Sequence, residues 1–167
     1  TEFPDETSRM TSRLLADFVQ SQIVHDLRKS HNPIWNRRLI WDRGYRESRT
    51  PTCPSMLLEL LSHQNFSDMM YGLDPEFQFT TGRAVYKGIL KYLSSRYQEA
   101  YTVQPLPVRN LALAFVSDTS GIETSSAILS WDKVDDPLEP TAKADGYILY
   151  RRLGNGAFDK GTKLENV

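Results

Sequence analysis

The sequence has one cysteine, Cys53, among its 167 residues. A single thiol excludes an intrachain disulfide and a cysteine-rich metal site, and it does not decide the cellular compartment. Long apolar runs are also missing, because no stretch approaches the roughly 18 residues needed to cross a bilayer. We therefore expect no membrane-spanning segment.

An excess of charge of one sign is also lacking, since the formal net charge is −1. A nearly neutral chain is a poor polyanion binder, so nucleic acid is not an expected partner. Hydrophobic residues make up 40% of the chain, which supports a packed core, and the length predicts one domain or slightly more. The sequence shows no signal peptide and does not begin with Met, so we expect a mature product or a fragment.

Two segments carry the apolar spacing of amphipathic helices. In the first, from Ser8 to about Lys29, the i, i+3 and i, i+4 spacing gives one apolar stripe, which predicts a helix that covers a sheet face. The second begins at Asp74, a good N-cap residue followed by Pro75, and is predicted to run to about Tyr97. Gly82 and Gly88 are expected to let this helix approach the sheet closely.

A short apolar run at residues 54–62 contains one carboxylate, Glu59. Its length and the turn formers around it predict a buried strand of an α/β sheet. An ionised carboxylate inside such a strand is unfavourable unless it is paired, hydrated or bound to a cation. Ligands bind at the carboxyl ends of strands in open α/β sheets, which makes Glu59 a candidate functional residue. The alternative is a partly exposed glutamate on an edge strand.

An arginine-rich segment precedes this run, and its arginines are interleaved with Trp41 and Tyr45. They are Arg37, Arg38, Arg43, Arg46 and Arg49. Basic residues among aromatic ones are typical of nucleic-acid binding, and they can also line a cleft for an acidic substrate. A third interpretation is a long solvated loop whose arginine stems lie on apolar surface.

The last third of the chain has a different pattern. Residues 98–107 contain two prolines and are predicted to be an interdomain linker. Strands are predicted at residues 111–115, 127–131 and 146–152, followed by a turn at residues 154–156. Short strands at this spacing favour a β-sandwich, although about 60 residues remain where a sandwich takes about 100.

Residues 8–97 resemble the C-terminal part of zinc-dependent N-acetylmuramoyl-L-alanine amidases. That family has a strand that ends in Val-Glu-Leu-Gly-Phe-Leu-Ser-Asn, and Glu59 and Asn65 match its glutamate and asparagine at the same six-residue offset. The helix start at residues 73–78 and the segment at residues 84–90 are similar to the motifs that follow in the family. Residues 43–45 resemble its Arg-Gly-Val turn. The family's Gly-Phe is Leu61-Ser62 here.

The tail is similar to the opening of a fibronectin type III domain, with Trp131 in the place of its strand B tryptophan and residues 147–151 in the place of strand C. The resemblances imply an α/β fold with part of an open sheet flanked by helices, followed by an incomplete β-sandwich. The expected organisation is an amidase-like portion at 1–97, a linker at 98–107 and a fibronectin-like portion at 108–167.

The amidase resemblance implies hydrolysis of the amide between N-acetylmuramic acid and L-alanine in peptidoglycan, in the periplasm or outside the cell. Glu59 would be the general base and acid beside a Zn²⁺ ion. The family's two histidines and glutamate that bind zinc precede the first helix, so the ligands are expected upstream, in the remaining part of the polypeptide. His25 and His31 match no ligand motif and are expected to be surface or packing residues, and His63 is expected to form local hydrogen bonds rather than to bind the metal. The fragment alone is expected to be inactive.

Arg43, Arg46 and Asn65 are candidate substrate-binding residues, with the arginines facing carboxylates of the stem peptide. Cys53 has no partner at a fixed spacing and is expected to be a small packed thiol rather than a nucleophile. The alternative function is an amidase-like binding or scaffolding module of the cell envelope that has lost its metal. A nucleic-acid binder is a weak third option because the net charge is close to zero.

Overall fold

The computed structural model describes residues 6–117 and 123–165. The chain divides into two compact units, residues 1–101 and 102–167, and the division falls inside the predicted linker. The first unit is helical and the second contains small antiparallel sheets, so the chain is mixed α/β in the general sense. No helix within the described ranges is long and apolar enough to cross a membrane.

The described residues of the first unit form four helices: α1 (Glu6–Ser30), α2 (Arg46–Arg49), α3 (Phe66–Leu73) and α4 (Pro75–Tyr97). Both long helices lie close to their predicted bounds. The side chain of Asp74 accepts a hydrogen bond from the Glu76 backbone N–H, so the predicted N-cap of α4 is confirmed. Basic residues Arg28 and Lys29 occupy the last turn of α1, where they complement the helix dipole.

The core of this unit forms where α1 packs against α4. Its buried members are Val19, Ile23, Leu27, Phe77 and Ala84. Trp35, Tyr71 and Phe77 form a cluster of aromatic rings with centroids 5.2 to 5.6 Å apart. The prediction that the first helix covers a sheet was wrong, because its apolar stripe is buried against α4 instead.

Gly88 lies at the closest approach of the two helices. A Cβ atom there would lie 2.6 Å from the Val19 Cα atom, whereas a Cβ at Gly82 would meet nothing within 4 Å. Of the two glycines predicted to allow close packing, only Gly88 lies at a close contact, and the element it contacts is helix α1 rather than a sheet.

We expect Gly88→Ala to lower the free energy of unfolding by about 1–3 kcal/mol, because the added methyl group forces α1 and α4 apart. Gly82→Ala should raise it by about 0.5–1 kcal/mol, since alanine is the better helix former and has room. Urea unfolding of both variants measures the difference. Equal effects at the two positions would show that the close approach does not limit packing.

A buried polar network also joins α1 to α4. Lys87 Nζ lies 2.7 Å from Asp26 Oδ2, and the two side chains are 0% and 1% exposed. Gln22 Nε2 donates to Asp26 Oδ1 at 2.9 Å, and Lys91 Nζ donates to Gln22 Oε1 at 2.6 Å. A charge removed from water in this way needs its partner, so the network fixes how the two helices align.

Residues 54–62 belong to no helix or strand in the described structure, so the predicted buried strand was wrong, and the described part of the first unit contains no sheet. Met56, Leu60 and Leu61 pack against the core, whereas Leu57 and Leu58 are exposed. A strand needs a neighbouring strand to complete its hydrogen bonds, and none of the described residues provides one. Cys53 is exposed rather than packed.

The second unit contains β1 (Arg109–Ser117), β2 (Glu123–Asp132), β3 (Gly146–Leu149) and β4 (Thr162–Glu165). They form two two-stranded antiparallel sheets, β1–β2 and β3–β4. The ring centroids of Trp131 on β2 and Tyr147 on β3 lie 5.1 Å apart. Leu113 and Phe115 share one face of β1 and are 59% and 78% exposed, so that face is uncovered within the described structure.

Asp159 organises the loop between β3 and β4. Its carboxylate accepts hydrogen bonds from the backbone N–H groups of Arg151 and Gly161, and from Arg151 Nε. These hydrogen bonds, led by that from the Arg151 backbone, lower the pKa of Asp159 below its usual value.

Because the folded-state pKa is lowered, the stabilisation by Asp159 is present above the unfolded pKa of about 3.9 and is lost as pH falls through the folded pKa. We expect the amide signals of Arg151 and Gly161 to change with pH below about 4, and Asp159→Asn to remove that change. An NMR pH titration of both proteins measures it. The same pH dependence in the variant would exclude Asp159 as its source.

Candidate functional site

A groove of about 500 Å³ lies in the helical unit. The N-terminal part of α1, from Arg9 to Gln20, contributes one set of lining residues, and the others come from residues 38–43, Tyr45, Ser48 and residues 55–59. Ala16 and Gln20 lie on the same side of α1 as the buried Leu27, so the groove continues the core-facing side of this helix toward its N-terminus. Residues 38–43 and 55–59 belong to no helix or strand.

The charge of the groove is mostly positive. Four arginines line it together with two carboxylates, and these residues are Arg9, Arg13, Arg38, Arg43, Asp42 and Glu59. Arg9 Nη1 lies 3.2 Å from Asp42 Oδ2, so the charges of these two residues balance each other. The side chains of Arg13 and Arg38 form no hydrogen bond or ion pair with any described residue. The groove therefore favours an anionic ligand.

Aromatic and hydroxyl groups hold one of these arginines in place. The Arg43 guanidinium carbon lies 3.9 Å from the centroid of the Trp41 ring, a cation–π arrangement. Arg43 Nη1 also donates to the Tyr45 hydroxyl at 3.2 Å. A planar guanidinium fixed in this way can receive a carboxylate with two parallel hydrogen bonds.

The groove also has an apolar component. Leu39 is 84% exposed, Trp41 57% and Leu57 45%, and all three line it. Exposed large apolar side chains beside cationic ones are typical of surfaces that bind a partner or ligand. The arrangement suits a ligand that carries both small apolar groups and carboxylates, such as a peptide.

Glu59 lines the groove together with residues 55–58, and it is exposed. It forms no hydrogen bond or ion pair within the described part of the chain. The position corresponds more closely to the alternative of an exposed glutamate than to a buried carboxylate at the end of a strand. A carboxylate in such a position is available to a ligand and to water.

The structure brings Glu59 and Arg43 into one groove, but not the other two predicted residues. Arg46 is the first residue of α2 and does not line the groove. Asn65 is the N-cap of α3, where its Oδ1 atom accepts from the backbone N–H groups of Ser67 and Asp68 at 2.9 and 3.3 Å. The substrate-binding roles of Arg46 and Asn65 stay predictions.

The described residues do not fit a zinc site. Across residues 6–117 and 123–165, no group of three or more His, Cys, Asp or Glu side chains lies close enough to hold a metal ion. His25 Nδ1 contacts Asp26 Oδ1 at 3.0 Å, and the His31 ring packs edge-on against Phe77. His63 is exposed in the turn before α3. No step through a metal is therefore assigned to this chain.

Sequence reasoning missed the contribution of α1 to the groove. Arg9, Ser12, Arg13, Ala16 and Gln20 all line it and follow one another at three- and four-residue spacing. That spacing places them on one face of the helix, in line with the buried Ile23 and Leu27 further along α1. The periodicity was present in the sequence, but it is also typical of an ordinary solvated face.

No protein-family model, no curated protein and no solved structure matches this chain.

Proposed function

We propose that this chain is part of a peptidoglycan hydrolase of the N-acetylmuramoyl-L-alanine amidase type, acting in the periplasm or outside the cell. Its groove holds the stem peptide of the wall, and Glu59 moves a proton during cleavage of the amide. The observation that carries the proposal is the presence of Glu59 and Arg43, both marked by the amidase-like motifs, in one positively charged groove.

The part played by this chain's own residues is binding and proton transfer. Arg13, Arg38 and Arg43 offer donors to peptide carboxylates, and the exposed leucines contact small apolar side chains. The Glu59 carboxylate is open to a water molecule, from which it can accept a proton, and the acid so formed can protonate the leaving amine. The proposed zinc ion would need ligands from outside the described residues, upstream of the first helix.

The second candidate is an amidase-like binding or scaffolding module of the cell envelope. The exposure of Glu59 favours it, because general bases are commonly tuned by partial burial and this carboxylate is not buried.

The proposal for the second unit is the opening of a fibronectin type III sandwich. The uncovered face with Leu113 and Phe115 supports it, since such a face is buried when two sheets pack.

Both candidates predict that the chain binds peptidoglycan. We expect it to sediment with purified wall material, and we expect Arg13→Ala and Arg43→Ala each to weaken retention about fivefold, the size of a partly exposed charge pair. Retention should fall as salt is raised. Co-sedimentation across a range of wall concentrations measures the affinities.

Arg49→Ala is the matched control, because Arg49 belongs to the same arginine-rich segment but does not line the groove. It should bind as the unchanged chain does. Equal losses in all three variants would indicate attraction by net charge alone, and no retention of the unchanged chain would contradict the proposal.

A further inference from the structure

The segment at residues 35–42 is bound to α1 at both of its ends. At its start, Arg28 Nε donates a hydrogen bond to the Trp35 carbonyl at 2.9 Å. At its end, Arg9 Nη1 lies 3.2 Å from Asp42 Oδ2. Since Arg28 is in the last turn of α1 and Arg9 is near its first residue, the segment runs back along the helix.

Two further contacts with α1 lie between these ends. Gln20 Nε2 donates to the Arg38 carbonyl at 2.8 Å, and the Asp17 carboxylate forms an ion pair with Arg37. With about 3.6 residues per turn, the four contact positions on α1 fall within an arc of about 100°. All four contacts therefore lie on one side of the helix.

Little else in the described structure holds this segment. Residues 36–42 form no backbone–backbone hydrogen bond with any described residue. Leu39 is 84% exposed and Trp41 57%, and among residues 36–43 Ile40 is the one that is partly buried. The side chains of α1 therefore set where the segment lies.

The segment contributes residues 38–43 to the groove, whereas neither Asp17 nor Arg37 lines it. Both members of this ion pair are about half exposed, with side chains 53% and 42% accessible. Because the pair lies outside the groove and next to Arg38 in the chain, it can affect a ligand only through the segment.

We propose that Asp17 is a positioning residue of the groove, whose ion pair with Arg37 holds the segment so that Arg38 and Arg43 meet an anionic ligand. This inference rests on the proposed function for the identity of that ligand. Ordering a loose segment on binding lowers affinity, and a segment already in place avoids that loss.

The proposal predicts an effect opposite in sign to attraction by charge. Replacing Asp17 with alanine removes a negative charge near a groove that favours anions, so charge alone would strengthen binding or leave it unchanged. Loss of the positioned segment weakens it instead.

The experiment uses the 167-residue chain and two probes, a soluble muramyl-peptide fragment and the acidic tripeptide alanyl-glutamyl-alanine. The test variant is Asp17→Ala, and Asp17→Arg combined with Arg37→Asp restores the pair with its charges exchanged. Glu47→Ala is the control, because it makes the same change in net charge at an exposed position that does not line the groove.

We expect Asp17→Ala to weaken binding of both probes about two- to fivefold, the range for an exposed ion pair. In the free chain, the ¹⁵N order parameters of residues 37–42 should fall from about 0.85 toward about 0.6. The exchanged pair should recover both values, and Glu47→Ala should weaken neither.

Unchanged or stronger binding by Asp17→Ala, or unchanged order parameters, would overturn the proposal. Failure of the exchanged pair to recover affinity would overturn it too, since the ion pair would then not be the cause. Binding of the tripeptide without binding of the muramyl-peptide fragment would contradict the proposed function and leave the positioning role supported. Binding of neither probe would overturn both.

Discussion

Replacing either Asp26 or Lys87 alone with an apolar residue is expected to lower the free energy of unfolding of the helical unit by about 3–5 kcal/mol. Domains of this size are stable by about 5–15 kcal/mol, so one such change removes a large share. Chemical unfolding of Asp26→Leu and Lys87→Met, followed by circular dichroism at the helix signal, measures the effect.

The size of the expected loss in unfolding free energy follows from the burial of Asp26 and Lys87. Both side chains are almost fully excluded from water and Lys87 Nζ lies 2.7 Å from Asp26 Oδ2, so removing one partner leaves the other charge buried without compensation. Gln22 still donates to Asp26 in the lysine variant, but a neutral amide donor replaces only part of the interaction.

The double variant distinguishes an uncompensated charge from a packing defect. Because neither charge remains, Asp26→Leu with Lys87→Met should recover most of the stability lost by either single variant. Asp42→Ala, which breaks the half-exposed pair with Arg9, should change stability by no more than about 1 kcal/mol. Additive losses in the double variant would show that shape, rather than charge pairing, determines the effect.

The second large effect is expected at Glu59. In a polypeptide that also carries the proposed zinc ligands, Glu59→Gln should reduce hydrolysis of peptidoglycan by about 10²- to 10⁴-fold, the usual contribution of a general acid–base group. Glutamine has nearly the same shape but cannot take up a proton at neutral pH, so binding of the wall should persist. Release of soluble fragments from labelled peptidoglycan measures turnover.

Glu47→Gln is the control for this experiment. Glu47 is an exposed carboxylate in α2 that does not line the groove, and its loss should leave turnover unchanged. If Glu59→Gln retained full turnover, Glu59 would have no part in the chemistry, and the binding module would become the preferred function.

The long helices could be predicted from the sequence because their signals are local. The apolar spacing of α1 and the Asp74–Pro75 start of α4 depend on neighbouring residues alone, and both helices lie within two residues of the predicted bounds. The three predicted strands of the second unit overlap β1, β2 and β3, since their alternation is also local. The third was predicted to reach residue 152, whereas β3 ends at Leu149.

The features that depend on distant residues could not be predicted. The pair formed by Asp26 and Lys87 joins positions 61 apart in the chain, and each residue alone is typical of a solvated helix face. Residues 54–62 have the composition of a strand. Whether they form one depends on a neighbouring strand, and the local sequence pattern does not show whether such a neighbour is present.

The sequence around Asn65 fits two interpretations. Its spacing from Glu59 matched the amidase-like motif, while the asparagine followed three residues later by Asp68 is also an N-cap pattern. The structure shows the cap. The groove arginines on α1 could not be predicted for a related reason. Helical spacing of polar residues does not show which other part of the chain they will face.

The most direct test of the account is an NMR titration of the intact 167-residue chain with a soluble muramyl-peptide fragment of peptidoglycan. We expect chemical-shift changes at the groove residues of α1, at residues 38–43 and at residues 55–59, and we expect them to weaken in Arg43→Ala. Changes confined to residues 102–165, or no changes at saturating fragment, would contradict the assignment of the groove as the wall-binding site.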